Sequence, residues 1–289
     1  MAICGNGIWI QNQPTGSNLT IILDKCVIGN IDFIAYAAGW WNADGTLNDN
    51  WNNGKTNVIN AVNTVYSYNI SHPTNKPIKI LGFIMYGRGE YQDISNYTSR
   101  ISALVKLCND TGLDGIADDI EEFASNVTAQ TQINFYNNAT IALHAMNPSR
   151  IMTYSRSVGN SQAPYFDQIV YPALKVDLLI PMFYDYYNNF SDYSSLFDWV
   201  LTNIQSPVSA GIMQGAYGMS TITGTIDQWR STKTYTNLVG FSIWALDSGN
   251  SSMSSSDWNL WNAWTGKNFI GCNSSLLCNI PTCNLIVNF

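Results

Sequence analysis

Few residues of this chain carry charge. Lys, Arg, Asp and Glu make up 11% of its 289 residues, and the acidic ones outnumber the basic ones 20 to 13. A net charge of −7, with no basic run or patch, lacks the electrostatic footprint that binding to nucleic-acid phosphates requires. Histidine is almost missing. His72 and His144 both fall in or beside helical runs, so no His-based metal site or triad is expected. No apolar run approaches the ~18 residues of a membrane-spanning helix. A Gly-x-Ser-x-Gly elbow, a Walker sequence and a Gly-rich phosphate turn after an early strand are all absent, which argues against serine-hydrolase, NTPase and dinucleotide chemistry. No cofactor and no metal are expected. Met1–Asn6 lacks a basic region and a long apolar region, so no signal peptide is visible.

What the chain does have is apolar and aromatic substance, at 46% and 13% of residues. That is enough for one large folded domain and argues against disorder. Six cysteines (4, 26, 108, 272, 278 and 283) include three in the last 18 residues, which reads as a stapled tail in an oxidising compartment with the pairing open. Free buried thiols are the alternative. Sequons at Asn18, Asn69, Asn96, Asn109, Asn126, Asn138, Asn189, Asn250 and Asn273 exceed the roughly six that such an Asn-, Ser- and Thr-rich chain makes by chance. These features together predict an extracellular or particle-surface glycoprotein, its targeting segment removed or of an unfamiliar kind.

Strand-like and helix-like segments alternate along the whole chain. Strands are expected at Gly7–Ile10, Ile31–Ala37, Ile78–Met85, Leu113–Phe123, Ile151–Tyr154, Val176–Met182, Val208–Met213 and Leu238–Leu246. Helices are expected at Asn18–Ile28, Lys55–Tyr68, Ser95–Asn109, Ala129–Met146, Tyr165–Leu174, Tyr193–Ile204, Thr223–Ser231 and Trp258–Trp264. Eight such pairs predict an α/β fold, a single (β/α)8 TIM barrel over residues 1–266, with a Cys-rich C-terminal tail at 267–289. The tail is expected to cover the N-terminal face of the barrel or to serve self-assembly with a neighbouring subunit.

The fourth expected strand carries the chemistry. In a strand, residues two apart share a face, so Ala117, Asp119 and Glu121 point one way while Ile116 and Ile120 point the other. Paired carboxylates near the end of a buried strand are costly to desolvate, and they can split the roles of acid and charged partner. The stretch Asp114-Gly115-Ile116-Ala117-Asp118-Asp119-Ile120-Glu121 resembles the Asp-Gly-x-Asp-x-Asp-x-Glu signature of glycoside hydrolase family 18, the chitinases and endo-β-N-acetylglucosaminidases. Ala117 stands where the family carries its middle Asp. Met182-Phe183-Tyr184-Asp185 resembles the family's Met-x-Tyr-Asp motif, and Trp244 falls where the family places a Trp under the bound sugar.

The resemblance implies a substrate-assisted retaining mechanism, an exception to the two-carboxylate scheme. Glu121 would be the general acid and base. Asp119 would hold the acetamido N–H, and Tyr184 would hydrogen-bond the acetamido oxygen. Asp114, Asp185, Trp244, Tyr86, Trp40 and Gln214 are the expected substrate-binding residues, with Trp41, Tyr186 and Tyr187 as further stacking surfaces. Loss of the middle Asp removes a hydrogen-bond partner of Asp119 and predicts weakened acid chemistry. Strand alternation aims Asp118 away from the barrel interior. The function implied is a secreted hydrolase of β-linked N-acetylglucosamine polymers, and the alternative is a non-catalytic barrel that binds carbohydrate or builds an extracellular surface.

Overall fold

The computed structural model describes residues 5–49, 54–86, 92–120, 123–158, 163–184, 187–244 and 253–268. Its strands are β1 (Gly7–Ile10), β2 (Phe33–Trp41), β3 (Leu47–Asn48), β4 (Lys79–Tyr86), β5 (Gly115–Asp118), β6 (Ile151–Ser157), β7 (Leu178–Met182), β8 (Val208–Ile212) and β9 (Leu238–Ile243). Helices α1 (Gly16–Ile28), α2 (Gly54–Ser71), α3 (Tyr97–Thr111), α4 (Ala129–Met146) and α5 (Ala163–Ala173) alternate with β1, β2, β4, β5 and β6, β3 following β2 directly. After β7 come a 3-10 turn (Phe190–Tyr193) and α6 (Ser194–Asn203). α7 (Gln214–Tyr217) and α8 (Met219–Thr232) follow β8, and α9 (Ser255–Asn268) closes the series.

All strands but β3 pair in parallel, and β1 pairs with both β2 and β9, which closes a barrel of eight. This is the expected (β/α)8 architecture. β3 is an addition, folding back antiparallel on Trp40 and Trp41 of β2. That approach needs Gly39, since a Cβ there would lie 2.6 Å from the Asn48 carbonyl oxygen. No helix among the described residues is long and apolar enough to cross a membrane.

Alternation along each strand divides the core in two. Trp9, Phe33, Leu81, Phe83, Ala117 and Ile180 fill the barrel, while Ile34, Ile84, Ile116, Ile120, Tyr154 and Leu179 pack outward against the helices. On α1 the inward stripe is Leu19, Leu23 and Cys26. Helical spacing in the sequence points to Ile21, Ile22, Val27 and Ile28 as that stripe, and this is corrected: Ile21 and Ile28 are 55% and 52% exposed. On α3 spacing points to Ile101, Leu104, Val105 and Cys108, whereas the buried stripe runs from Arg100 through Leu104, Leu107 and Cys108, with Ile101 and Val105 only partly buried.

The N-terminal ends of the strands are held by one repeated device. An Asp just before a strand accepts the backbone N–H at the start of the strand before it. Asp32 takes Asn6 N–H (2.8 Å), Asp114 takes Ile80 N–H (2.9 Å) and Asp177 takes Met152 N–H (2.8 Å). Outer partners complete the carboxylates: Lys76 for Asp32, Tyr66 Oη for Asp114 and His144 for Asp177. Beside Asp114, Gly115 lets β5 approach β6, because a Cβ there would meet the Ile151 carbonyl oxygen at 2.0 Å.

Cys26 and Cys108 are free, buried thiols, which corrects the disulfide expectation for these two. Burial pushes both upward, Cys108 to about 12. Cys4, Cys272, Cys278, Cys283 and the proposed tail beyond residue 268 lie outside the described residues.

Candidate active site

Barrel active sites lie at the C-terminal ends of the strands, and there the inward-facing positions can be followed one by one. On β5 Ala117 sits inside the barrel, fully buried, paired with Phe83 of β4 and Thr153 of β6. The backbone stays extended beyond β5, with Asp119 N–H donating to the Ile84 carbonyl at 3.1 Å. Asp119 therefore follows Ala117 onto the inner face, and only 4% of it is exposed. Glu121, the expected acid, lies outside the described residues, as does Asp185.

Trp244 leaves β9 on the inner face and packs tilted on Trp9 at 5.3 Å and edge-on to Phe83 at 5.5 Å. Trp9 meets Phe83 edge-on at 4.7 Å, so three aromatic rings close the barrel beside Ala117, one level below Asp119. Tyr184, two residues beyond Met182 on β7, is almost fully buried, and its hydroxyl donates to the Met182 sulfur at 2.7 Å. Thioether sulfur is a weak acceptor, readily exchanged for an amide oxygen.

β2 contributes through a bulge. The register with β4 slips between Ala37 and Gly39, so Trp40 pairs with the inward Met85 and Trp41 with Tyr86. Trp40 thus shares the inner face at the mouth, half-buried, with its indole N–H on Asn42 Oδ1 at 3.2 Å. Asp119, Tyr184, Trp244 and Trp40 are the expected residues that reach this face.

Others do not. Asp114 sits at the opposite end of β5, where it clamps the start of β4. Tyr86 and Trp41 share the outward face, and Trp41 is fully buried with Arg100 of α3 over its ring. Gln214 stands at the start of α7, half-buried, with its amide on Asp257 of α9 at 3.2 Å. Tyr187 is on the rim, 38% exposed, edge-on to Tyr193.

Behind the strand end lies a buried polar cluster. Asp118 points outward as alternation requires, and it accepts Trp41 Nε1–H (3.2 Å) and Tyr136 O–H (2.9 Å). Burial pushes its carboxyl up to about 6, against the opposing pull of these two donors and of Arg100. Arg100 lies 4.5 Å over the Trp41 ring and donates to Gln92 Oε1 and the Asp93 carbonyl. Arg156 of β6 covers the Phe123 ring at 5.3 Å and donates to Gln132. A bridge between Gln92 and Phe123 joins the two halves of the cluster. Sequence reasoning misses these groups. A charged residue, Arg100, opening an apolar helical stripe is the available signal.

No protein-family model and no curated protein sequence matches this chain. Among solved structures, the class V chitinase from Nicotiana tobaccum superposes with a TM-score of 0.65 at 13% identity, over 91% of this chain and 99% of that one. A chitinase-like agglutinin from Robinia pseudoacacia gives 0.63 at 11% identity, over 89% and 98%. The spore cortex-lytic enzyme SleL of Bacillus cereus gives 0.53 at 14%, over 72% of this chain, which spans 50% of that enzyme. The fold is thus the barrel found in family 18 chitinases and related glycosidases.

Proposed function

We propose that the chain is a glycoside hydrolase acting on saccharides that contain β-linked N-acetylglucosamine, by retaining, substrate-assisted catalysis. The observation that carries this reading is the meeting of Asp119, Tyr184 and Trp244 on the inner face at the C-terminal mouth, above a closed aromatic floor. Trp244 forms the apolar platform for a sugar ring. Asp119 holds the acetamido N–H and balances the positive charge of the cyclic intermediate. Tyr184 exchanges its sulfur contact for the acetamido oxygen, drawing that group toward the anomeric carbon. Glu121 protonates the glycosidic oxygen and then activates water. The same reading includes secretion and carbohydrate as the partner.

The test is hydrolysis of an N-acetylglucosamine pentamer by wild type and by Glu121→Gln. Cleavage that falls by roughly 10²- to 10⁴-fold in the variant is expected for a lost acid–base group. A second reading, a carbohydrate-binding barrel without catalysis, is favoured by Ala117 and by the likeness to an agglutinin. Binding of the pentamer without cleavage by either protein would establish it in place of the first.

A further inference from the structure

Two hydroxyls inside the barrel have no packing explanation. Thr153 Oγ1 and Ser155 Oγ of β6 are fully buried, and neither has a hydrogen-bond partner among the described residues. Buried hydroxyls without partners are disfavoured, and in native proteins such groups are met by another polar group or by water. Their place is specific. Thr153 is the registered neighbour of Ala117, and the same register set two residues on brings Ser155 beside Asp119. Ile151, which shares their face, packs inside the barrel, whereas Met152 and Tyr154 pack outside it. Adjacent strands lie about 4.8 Å apart, so both hydroxyls border the space over the Ala117 methyl and under the Asp119 carboxyl.

We propose that Ser155 and Thr153 are positioning residues for Asp119. Together they hold one water over Ala117, in the space that a carboxylate at position 117 would fill, and that water donates to Asp119. The inference rests on the reading of Asp119 as the partner of the acetamido group. It explains how a barrel with Ala117 keeps a polar support beneath its inner carboxylate. Donation to the charged form favours ionised Asp119, so the support is read out in its titration. The other titratable groups around it are Tyr184 across the mouth and, behind the sheet, Asp118, Tyr136, Arg100 and Arg156. Glu121 and Asp185 are neighbours in sequence outside the described residues.

The experiment compares the full chain with Ser155→Ala, Thr153→Val and the double variant, with Ser155→Thr as the conservative control. Asp119 is titrated by carbon NMR on aspartate-labelled protein and assigned with Asp119→Asn. The same variants are assayed for the acidic limb of kcat/KM on the pentamer. The double variant is expected to raise the Asp119 pKa by about one unit, as loss of a donor to a carboxylate does. The acidic limb should move with it, and Ser155→Thr should leave both in place. An unchanged Asp119 titration in the double variant overturns the proposal, whether or not the chain cleaves sugar. A shifted titration in a protein without hydrolase activity supports the hydroxyl support and removes only the proposed reaction. Where the double variant fails to fold, Ser155→Ala alone, the smaller change, carries the same comparison.

Discussion

The two ends of β5 use aspartate in opposite ways. At the N-terminal end Asp114 has both oxygens engaged, by Ile80 N–H and Tyr66 O–H, and repeats the clamp seen at Asp32 and Asp177. At the C-terminal end Asp119 faces a barrel interior lined by the Thr153 and Ser155 hydroxyls, Tyr184 and an aromatic floor. The first arrangement is closed and serves register. The second is polar and open to a further partner, which is the condition under which a site gains binding or chemistry at the expense of stability. One motif therefore carries two kinds of aspartate five residues apart, and resemblance alone assigns both to substrate.

Substitutions at the two ends should separate activity from stability. Asp119→Asn is expected to lower kcat roughly 10²- to 10³-fold, the size of losing one preorganised electrostatic partner, while the thermal midpoint stays or rises. Pentamer kinetics and thermal unfolding on the same sample check it. Equal losses of activity and stability would erase the contrast. The next effect belongs to Asp118, between the two ends and on the outer face. Its carboxyl stands at about 6 against an ordinary 3.8, so the folded state favours the protonated form. Its contribution is fully present below the unfolded value and is lost as pH rises from about 4 through 6. A carboxyl raised by about two pH units corresponds to about 3 kcal/mol. Urea unfolding of wild type and Asp118→Asn from pH 4 to 8 should give a difference, variant minus wild type, that grows with pH by about that amount. Parallel curves would show that the buried cluster meets the charge without cost.

Much of this is legible from periodicity, and the failures have physical causes. The barrel follows from the alternation of elements, and the inward face of Ala117 and Asp119 from the period of two. Periodicity ends β6 at Tyr154, short of the observed Ser157, because Ser155, Arg156 and Ser157 read as loop. Both faces there are polar, one lined by serines and one by an arginine in a buried cluster, so no apolar alternation marks the strand. It ends β2 at Ala37 because a bulge shifts the parity there, which also hides which of Trp40 and Trp41 faces inward. On α1 a surplus of isoleucines outvotes the true stripe of Leu19, Leu23 and Cys26. Alternation aims Asp118 outward correctly, but its partners Trp41, Tyr136 and Arg100 come from distant segments and no spacing rule links them.

The smallest expected effect tests the closed end itself. Asn at position 114 keeps one acceptor oxygen and offers an amide where Asp offers a second oxygen. It can satisfy Ile80 N–H or Tyr66 O–H, and the other is left facing a donor. Ile80 belongs to β4, whose inner face carries Phe83 and so sets the height of the aromatic floor. Losing one such bond costs about 1–2 kcal/mol when the remaining partner is partly buried. Asp114→Asn should therefore shift the urea midpoint by that amount with an unchanged slope, and kcat on the pentamer should stay within about twofold. Asp177→Asn should shift the midpoint less, because Met152 N–H and His144 Nε2 share one Asp177 oxygen, which Asn retains. A loss of kcat at Asp114 with no change in midpoint would move this residue to the side of Asp119, and the clamp at the foot of the barrel would then be part of the site.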